Sequence, residues 1–233
     1  MSKYTSITIK VPDINRSYTS GDYKYSALET QKANKDVLAS IYRNYGLFIN
    51  RWGVEFEIDD SITACFIATE SNGKNSPPNK YQATGLMQMT PDTVWEMFVK
   101  WEKVVGSKMS KNAIAFINKA IPLSKSFDPN VLPSATVKSQ ISTALQNNPE
   151  FNICVGTANI RWLLEAFRIG DNSDINKVMI AYNAGYYSSK NKLKGLITTE
   201  QLVNNKGFSV ESRSYLLKML GVKGFLHLWF EKK

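Results

Sequence analysis

A chain of 233 residues, 43% hydrophobic and 21% charged, has the balance of a folded globular protein with a sizeable core. No run of about 18 apolar residues occurs, so integral membrane association is not expected. Lys plus Arg total 29 against 20 Asp plus Glu, a net charge of +9, which favours a polyanionic partner: nucleic acid, an anionic membrane surface or an acidic cell-wall polymer. The basic residues are scattered and no nucleic-acid motif is visible, so no nucleic-acid partner is expected.

Residues 1–26 are polar and read as an N-terminal arm, with a short edge strand where Ile7-Thr8-Ile9-Lys10-Val11 alternates before Pro12. From Ala27 the pattern turns helical, with Leu38, Ile41, Tyr45, Phe48 and Trp52 at three- and four-residue steps. Asp59-Asp60 offers an N-cap to an apolar helix through Ile62-Thr63-Ala64-Cys65-Phe66-Ile67-Ala68, which should stop near Ser71-Asn72-Gly73. Residues 71–84 (SNGKNSPPNKYQAT) read as loop or short hairpin. Thr90-Pro91-Asp92 places a cap, an N1 proline and a first-turn acid before a helix through Trp101. Two amphipathic segments follow between Gly106 and Asn148, separated by a loop at Ser126-Phe127-Asp128-Pro129-Asn130.

Glu150–Phe167 reads as a strong helix, with Ile153, Ala158, Trp162, Leu163 and Phe167 on or near one face. Asp174 should cap another, Ile175–Tyr182, ended by Gly185. The tail from Ser209 to Phe230 is helical with a break at Gly221 to Gly224. The whole is mainly α, without repeats.

Cys65 and Cys154 lie among apolar residues and read as buried free thiols rather than a disulfide. With two Cys and one His, a His/Cys zinc site is not expected, and no cofactor is implied. His227 has no neighbours that would make it a catalytic base, and reads as packed or partly exposed.

Glu70 is the most informative carboxylate. It ends an apolar helix and precedes a Gly- and Pro-rich loop. The negative end of the helix dipole and partial burial both disfavour the carboxylate, which favours the protonated form that a general acid needs. On position alone, a solvated Glu at a helix end is the commoner case. Three further segments change that weighting: Gly85-Leu86-Met87-Gln88 after the loop, Asn152-Ile153 with Gly156 on the long helix, and Ala181-Tyr182-Asn183-Ala184-Gly185 at the end of the next. Singly, each could be a turn, a helix-packing glycine or a helix cap.

In this order after Glu70-Ser71, these segments resemble the Slt-type lytic transglycosylases of the lysozyme-like superfamily, over about residues 58–94 and 150–220. The resemblance implies a mainly α, lysozyme-like fold (goose-type lysozyme or Slt catalytic domain) over 27–233, with a helical insertion at about 100–148. It implies Glu70 as the catalytic acid/base and Ser71 as a positioning neighbour. Gly85, Leu86, Met87 and Gln88 would be the second motif, its backbone, Met and Gln lining a sugar cleft. Tyr182 and Asn183 match the fourth motif, which faces the catalytic Glu in that family, and Tyr215 resembles the Tyr of the C-terminal helix that also approaches the site. There are two departures. Asn159 stands where the third motif usually has Tyr, and the stretch between Gln88 and Asn152 is longer than usual. That stretch could shape a cleft wall or bind another protein, such as a phage structural protein.

Ordinary glycosidases flank the scissile bond with two carboxylates. Residues 71–84 contain no Asp or Glu, and Asp92 is explained by its helix start. A lone Glu fits transglycosylation of the MurNAc-GlcNAc β-1,4 bond in peptidoglycan glycan strands, with formation of 1,6-anhydroMurNAc. The competing readings are a goose-type lysozyme-like hydrolase and an inactive sugar-binding module of a phage assembly; a basic nucleic-acid binder would explain the charge but none of the motifs. Residues 1–12 lack the basic and apolar regions of a secretory leader. The expectation is action on the cell wall (periplasm) after release as a phage endolysin or within a virion. The alternative is a secreted bacterial enzyme whose leader has been removed.

Overall fold

Eleven helices and three short strands occupy the described residues of the computed structural model, which are 7–11, 31–121, 132–221 and 224–231. The loop expected at 126–130, the start of the first helix and most of the N-terminal arm lie outside them. The described residues fall into two compact units. One is Ile41–Trp162; the other combines Ser6–Ser40 with Leu163–Lys233.

The first unit is entirely helical. It holds most of α1 (Gln31–Phe56), then α2 (Asp60–Ser71), α3 (Pro91–Val105), α4 (Lys111–Ala120), α5 (Ala135–Asn147) and most of α6 (Pro149–Ala166). The caps expected at Asp59 and Thr90 form, and two further serine caps join them. Asp59 sits at the N-cap of α2, its carboxylate accepting from the Ser61 amide at 2.8 Å. Thr90 caps α3 ahead of Pro91, and Ser110 and Ser134 cap α4 and α5 through the amides of Ala113 and Val137. The third helix continues past Trp101 to Val105, because the left-handed Gly106 is the residue that ends it. Asp92 lies in its first turn and pairs with Lys138 at 2.7 Å, so the helix start accounts for it.

The long helix α6 departs from the expected single apolar face. Every residue from Phe151 to Leu164 is buried, including Asn152, Thr157, Asn159 and Arg161, whereas Phe167 is only half-buried. A helix covered all round carries its polar residues inward, where a buried polar group ordinarily needs a partner; Thr157 Oγ1 has none among the described residues. Arg161 approaches the Glu57 carboxylate at 3.6 Å. Trp52, Phe56 and Trp101 build an aromatic cluster beside the helix floor, with Phe116 of α4 tilted against Trp52 at 4.7 Å.

The second unit adds a small sheet and the C-terminal helices. Its strands are β1 (Thr8–Lys10), β2 (Arg168–Ile169) and β3 (Asn172–Asp174), in the order β1-β3-β2. β1 runs parallel to β3 and is an edge strand, as its alternation indicated. β2 and β3 form a hairpin over Gly170-Asp171, with Gly170 at φ +60°. Next come α7 (Ile175–Ala184), α8 (Tyr186–Ser189), α9 (Thr199–Asn204), α10 (Val210–Leu220) and α11 (Phe225–Phe230). Asp174 holds the N-cap position of α7 without a capping bond. Its place in β3 leaves the carboxylate near Lys177 Nζ, at 3.5 Å, instead of the helix amides. The tail breaks between Leu220 and Phe225, where expected.

Among the described residues no helix is long and apolar enough to cross a membrane, and no cluster of three or more His, Cys, Asp or Glu could hold a metal ion. His227 is partly exposed and contacts Glu231 at 2.8 Å. Cys65 and Cys154 are free and fully buried, and burial, the largest cause in each case, holds both thiols well above their usual pKa. The thiolate is the reactive form. Both should therefore resist a disulfide-exchange reagent in the native protein at mildly alkaline pH, and react only as fast as the protein unfolds. Rapid labelling of either in folded protein would contradict the burial.

Candidate active site

Glu70 lies in the last turn of α2, half-buried, beyond the fully buried run Ser61–Ala68. The end of this helix is finished by side chains and a left-handed cap. Thr69 Oγ1 donates to the Cys65 carbonyl at 2.8 Å, Ser71 Oγ donates to that of Ile67 at 3.1 Å, and the Asn72 amide donates to that of Ala68 with Asn72 at φ +52°. Of the carbonyls that a helix end leaves over, that of Ala68 is taken by the cap amide; the two hydroxyls add second bonds to carbonyls already inside the ladder. The Ser71 hydroxyl spends its proton on the helix and keeps lone pairs for accepting.

The loop leaving α2 is held by its own asparagines. Asn79 Oδ1 accepts from the amides of Tyr81 and Ala83, and Asn75 Nδ2 donates to the Gln146 carbonyl at 2.7 Å. The Ser76 carbonyl accepts from the Gly85 amide at 2.8 Å, which ties the loop to the turn that follows. That turn, Gly85–Gln88, is closed by a bridge between Thr84 and Met89. Gly85 has φ +79° and Gln88 φ +46°, both left-handed.

Asn152 of α6 holds the turn from beneath. Its Oδ1 accepts from the Met87 amide at 2.8 Å, and its Nδ2 donates to the carbonyls of Thr84 at 2.9 Å and Leu145 at 3.1 Å. All three bonds are buried. They explain the glycine: a Cβ on Gly85 would lie 2.0 Å from Asn152 Nδ2 and 2.8 Å from the Leu145 carbonyl oxygen. Gly156, one turn along α6, makes the matching space for Met87, whose Sδ would lie 2.2 Å from a Cβ there.

This packing corrects one part of the expectation. Leu86 and Met87 are fully buried; the Met87 side chain fills the notch over Gly156 and does not line an open cleft. Only Gln88 of the four residues is partly exposed. Its Nε2 donates to the Gly85 carbonyl at 2.8 Å, which fixes the carboxamide and leaves its oxygen available as an acceptor. Asn159, at the departure in the third motif, is buried on α6.

Tyr182, Asn183 and Tyr215 belong to the second unit. Tyr182 and Asn183 are half-buried on the last turn of α7, and Tyr215 is buried on α10. Asn183 Oδ1 accepts from Ser212 Oγ at 2.7 Å, and Ser212 in turn shares the α10 cap with Ser209. The end of α7 is thereby locked to the start of α10, a link that the segment Ala181–Gly185 did not reveal on its own. The role of Asn152 as a three-bond anchor also went unassigned. An amide one turn before a glycine, within the apolar run Phe151–Val155, was the signal for it.

The chain matches no protein-family model, no curated protein and no solved structure.

Proposed function

We propose that the chain cleaves the MurNAc-GlcNAc β-1,4 bond of peptidoglycan as a lytic transglycosylase, with Glu70 as acid and then base. One observation carries the reading: a single half-buried Glu on a capped helix end, next to an acid-free loop whose closing turn is anchored by a buried Asn. The motif order described above supplies the substrate class. The parts of Tyr182, Asn183 and Tyr215 rest on that motif order alone.

The chemistry needs one proton shuttle. Glu70 in its acid form donates its proton to the glycosidic oxygen, and the bond from that oxygen to C1 of the muramic sugar breaks. The resulting carboxylate takes the proton of the 6-hydroxyl of the same sugar while O6 bonds to C1. Glu70 ends as it began, no water is consumed, and the product carries a 1,6-anhydro ring. An intramolecular hydroxyl already has a high effective concentration, so no second carboxylate is needed to activate a nucleophile. Gln88 and Ser71 supply acceptors near the scissile region, and the fixed turn keeps them in place.

The test is mass spectrometry of fragments released from purified peptidoglycan. The expected muropeptides end in 1,6-anhydromuramic acid. Fragments heavier by one water, with a reducing end, would mean hydrolysis of the goose-type lysozyme kind.

A further inference from the structure

The described residues also line an open cavity of about 740 Å³ in the first unit, between α1, α4 and the start of α6. This is within the usual range for small-molecule sites, about 300–1,000 Å³. None of the residues assigned to cleavage lines it. Arg51 crosses one wall, its guanidinium 4.9 Å from the Trp52 ring and 5.6 Å from the Phe116 ring. Its Nη1 donates to Glu150 at 2.7 Å. Stacking on two rings and anchoring by one carboxylate fix the guanidinium plane. The Nε and Nη2 donors have no partner among the described residues, and the side chain remains 57% exposed.

Two cations and two carboxylates line the cavity, Arg51 and Lys119 with Glu55 and Glu150. Glu150 is paired with Arg51, and the buried Glu55 accepts a short bond from Ser110 Oγ. Lys119, which also lines the cavity, has no ion pair among the described residues, and Asn112 has no hydrogen bond there. The buried Trp52 indole N–H also has no acceptor among the described residues. Lys103, Lys108 and Lys111, exposed on the same stretch of chain, have no ion pair either among the described residues. The unused capacity is that of the hydrogen-bond donors of Arg51 and Lys119, next to the apolar surfaces of Phe116, Ala115 and Ala120. A planar carboxylate matches the free edge of a stacked arginine. Small aliphatic groups match the alanine and phenylalanine wall, and backbone amides match Asn112 and Asn148.

We infer that this cavity binds a short peptide through its free terminal carboxylate, held between Arg51 and Lys119. The peptides borne by the glycan strands of the preceding reading have this chemistry, but the inference does not depend on cleavage by Glu70. The probe is acetyl-alanyl-alanine, titrated into the full-length protein labelled with nitrogen-15. Saturable shifts are expected at the Trp52 indole N–H, the Arg51 Nε–H and the amides of α4. Losing one charge-assisted bond costs at least about tenfold in affinity. The C-terminal amide of the same dipeptide should therefore bind at least about tenfold more weakly, and so should the dipeptide to Lys119→Glu, a change at an exposed position. Glu70→Gln should bind it as the wild type does, so failure here and failure of the proposed cleavage are distinguishable. Absence of saturable shifts at these groups would overturn the inference, as would equal binding of the amide or an unaffected Lys119→Glu variant. Inorganic phosphate binding there as tightly as the dipeptide would reduce the cavity to a general anion site and overturn the peptide assignment.

Discussion

Replacing Glu70 with Gln should abolish turnover on cell walls while leaving the fold intact. Gln preserves the size and most of the hydrogen-bonding shape of the side chain but cannot give up or take a proton. A positioned general acid or base contributes about 10² to 10⁴ in rate, and here one group serves both steps of the cycle. The loss should therefore be at least about 10³, at the upper part of that range. Glu70 is half-buried on a helix end capped by Asn72 and braced by the Thr69 and Ser71 hydroxyls, none of which the substitution replaces. The circular dichroism spectrum and the melting temperature should accordingly match those of the wild type. Wild-type lysis by a well-folded Glu70→Gln protein would remove Glu70 from the mechanism.

The second large effect is on stability. Asn152→Ala should destabilise the protein by about 3–5 kcal/mol, because buried groups left without partners cost about 1–3 kcal/mol each. Three are at stake: the Met87 amide and the carbonyls of Thr84 and Leu145. The carbonyls retain some capacity elsewhere, which keeps the sum below three full penalties. At about 2–4 °C per kcal/mol for a protein of this size, a central loss of about 4 kcal/mol lowers the melting temperature by about 8–16 °C. Thermal denaturation followed by circular dichroism reads this directly. Activity should fall with stability even well below the melting temperature, since the turn that positions Gln88 would lose its anchor. A melting temperature within a degree or two of the wild type would show that Asn152 does not carry the turn.

These two residues differ in how far the sequence alone could reach them. Glu70 stands out locally, at the junction of an apolar run with a Gly- and Pro-rich loop. Asn152 acquires its role in the turn from partners 65 and 68 residues away along the chain. Met87 illustrates the same limit from the other side. Its place in the second motif implied a cleft wall, but the space made by Gly156 draws it into the interior. Some local signals were legible and still passed unread. Gly170-Asp171 between two short polar segments is a hairpin signal, and Thr198 with Gln201 is a capping box, realised in full at the start of α9.

What the amino-acid sequence by itself determined is the helical character of the chain, both ends of α2 and the start of α3, the edge position of β1 and the burial of both cysteines. Each of these follows from forces that act within a few residues: a side-chain cap reaches two or three positions, a left-handed residue ends a helix where it stands, and apolar periodicity marks which segments seek the interior. Only the tertiary structure decided that α6 is covered on every side, that Asn152 clamps the Gly85–Gln88 turn, that Asn183 is bound to Ser212, and that Arg51, Phe116 and Lys119 share a cavity. Those facts depend on which distant surfaces meet, and the pairing of distant surfaces is set by the packing of whole helices, which no short window of residues contains.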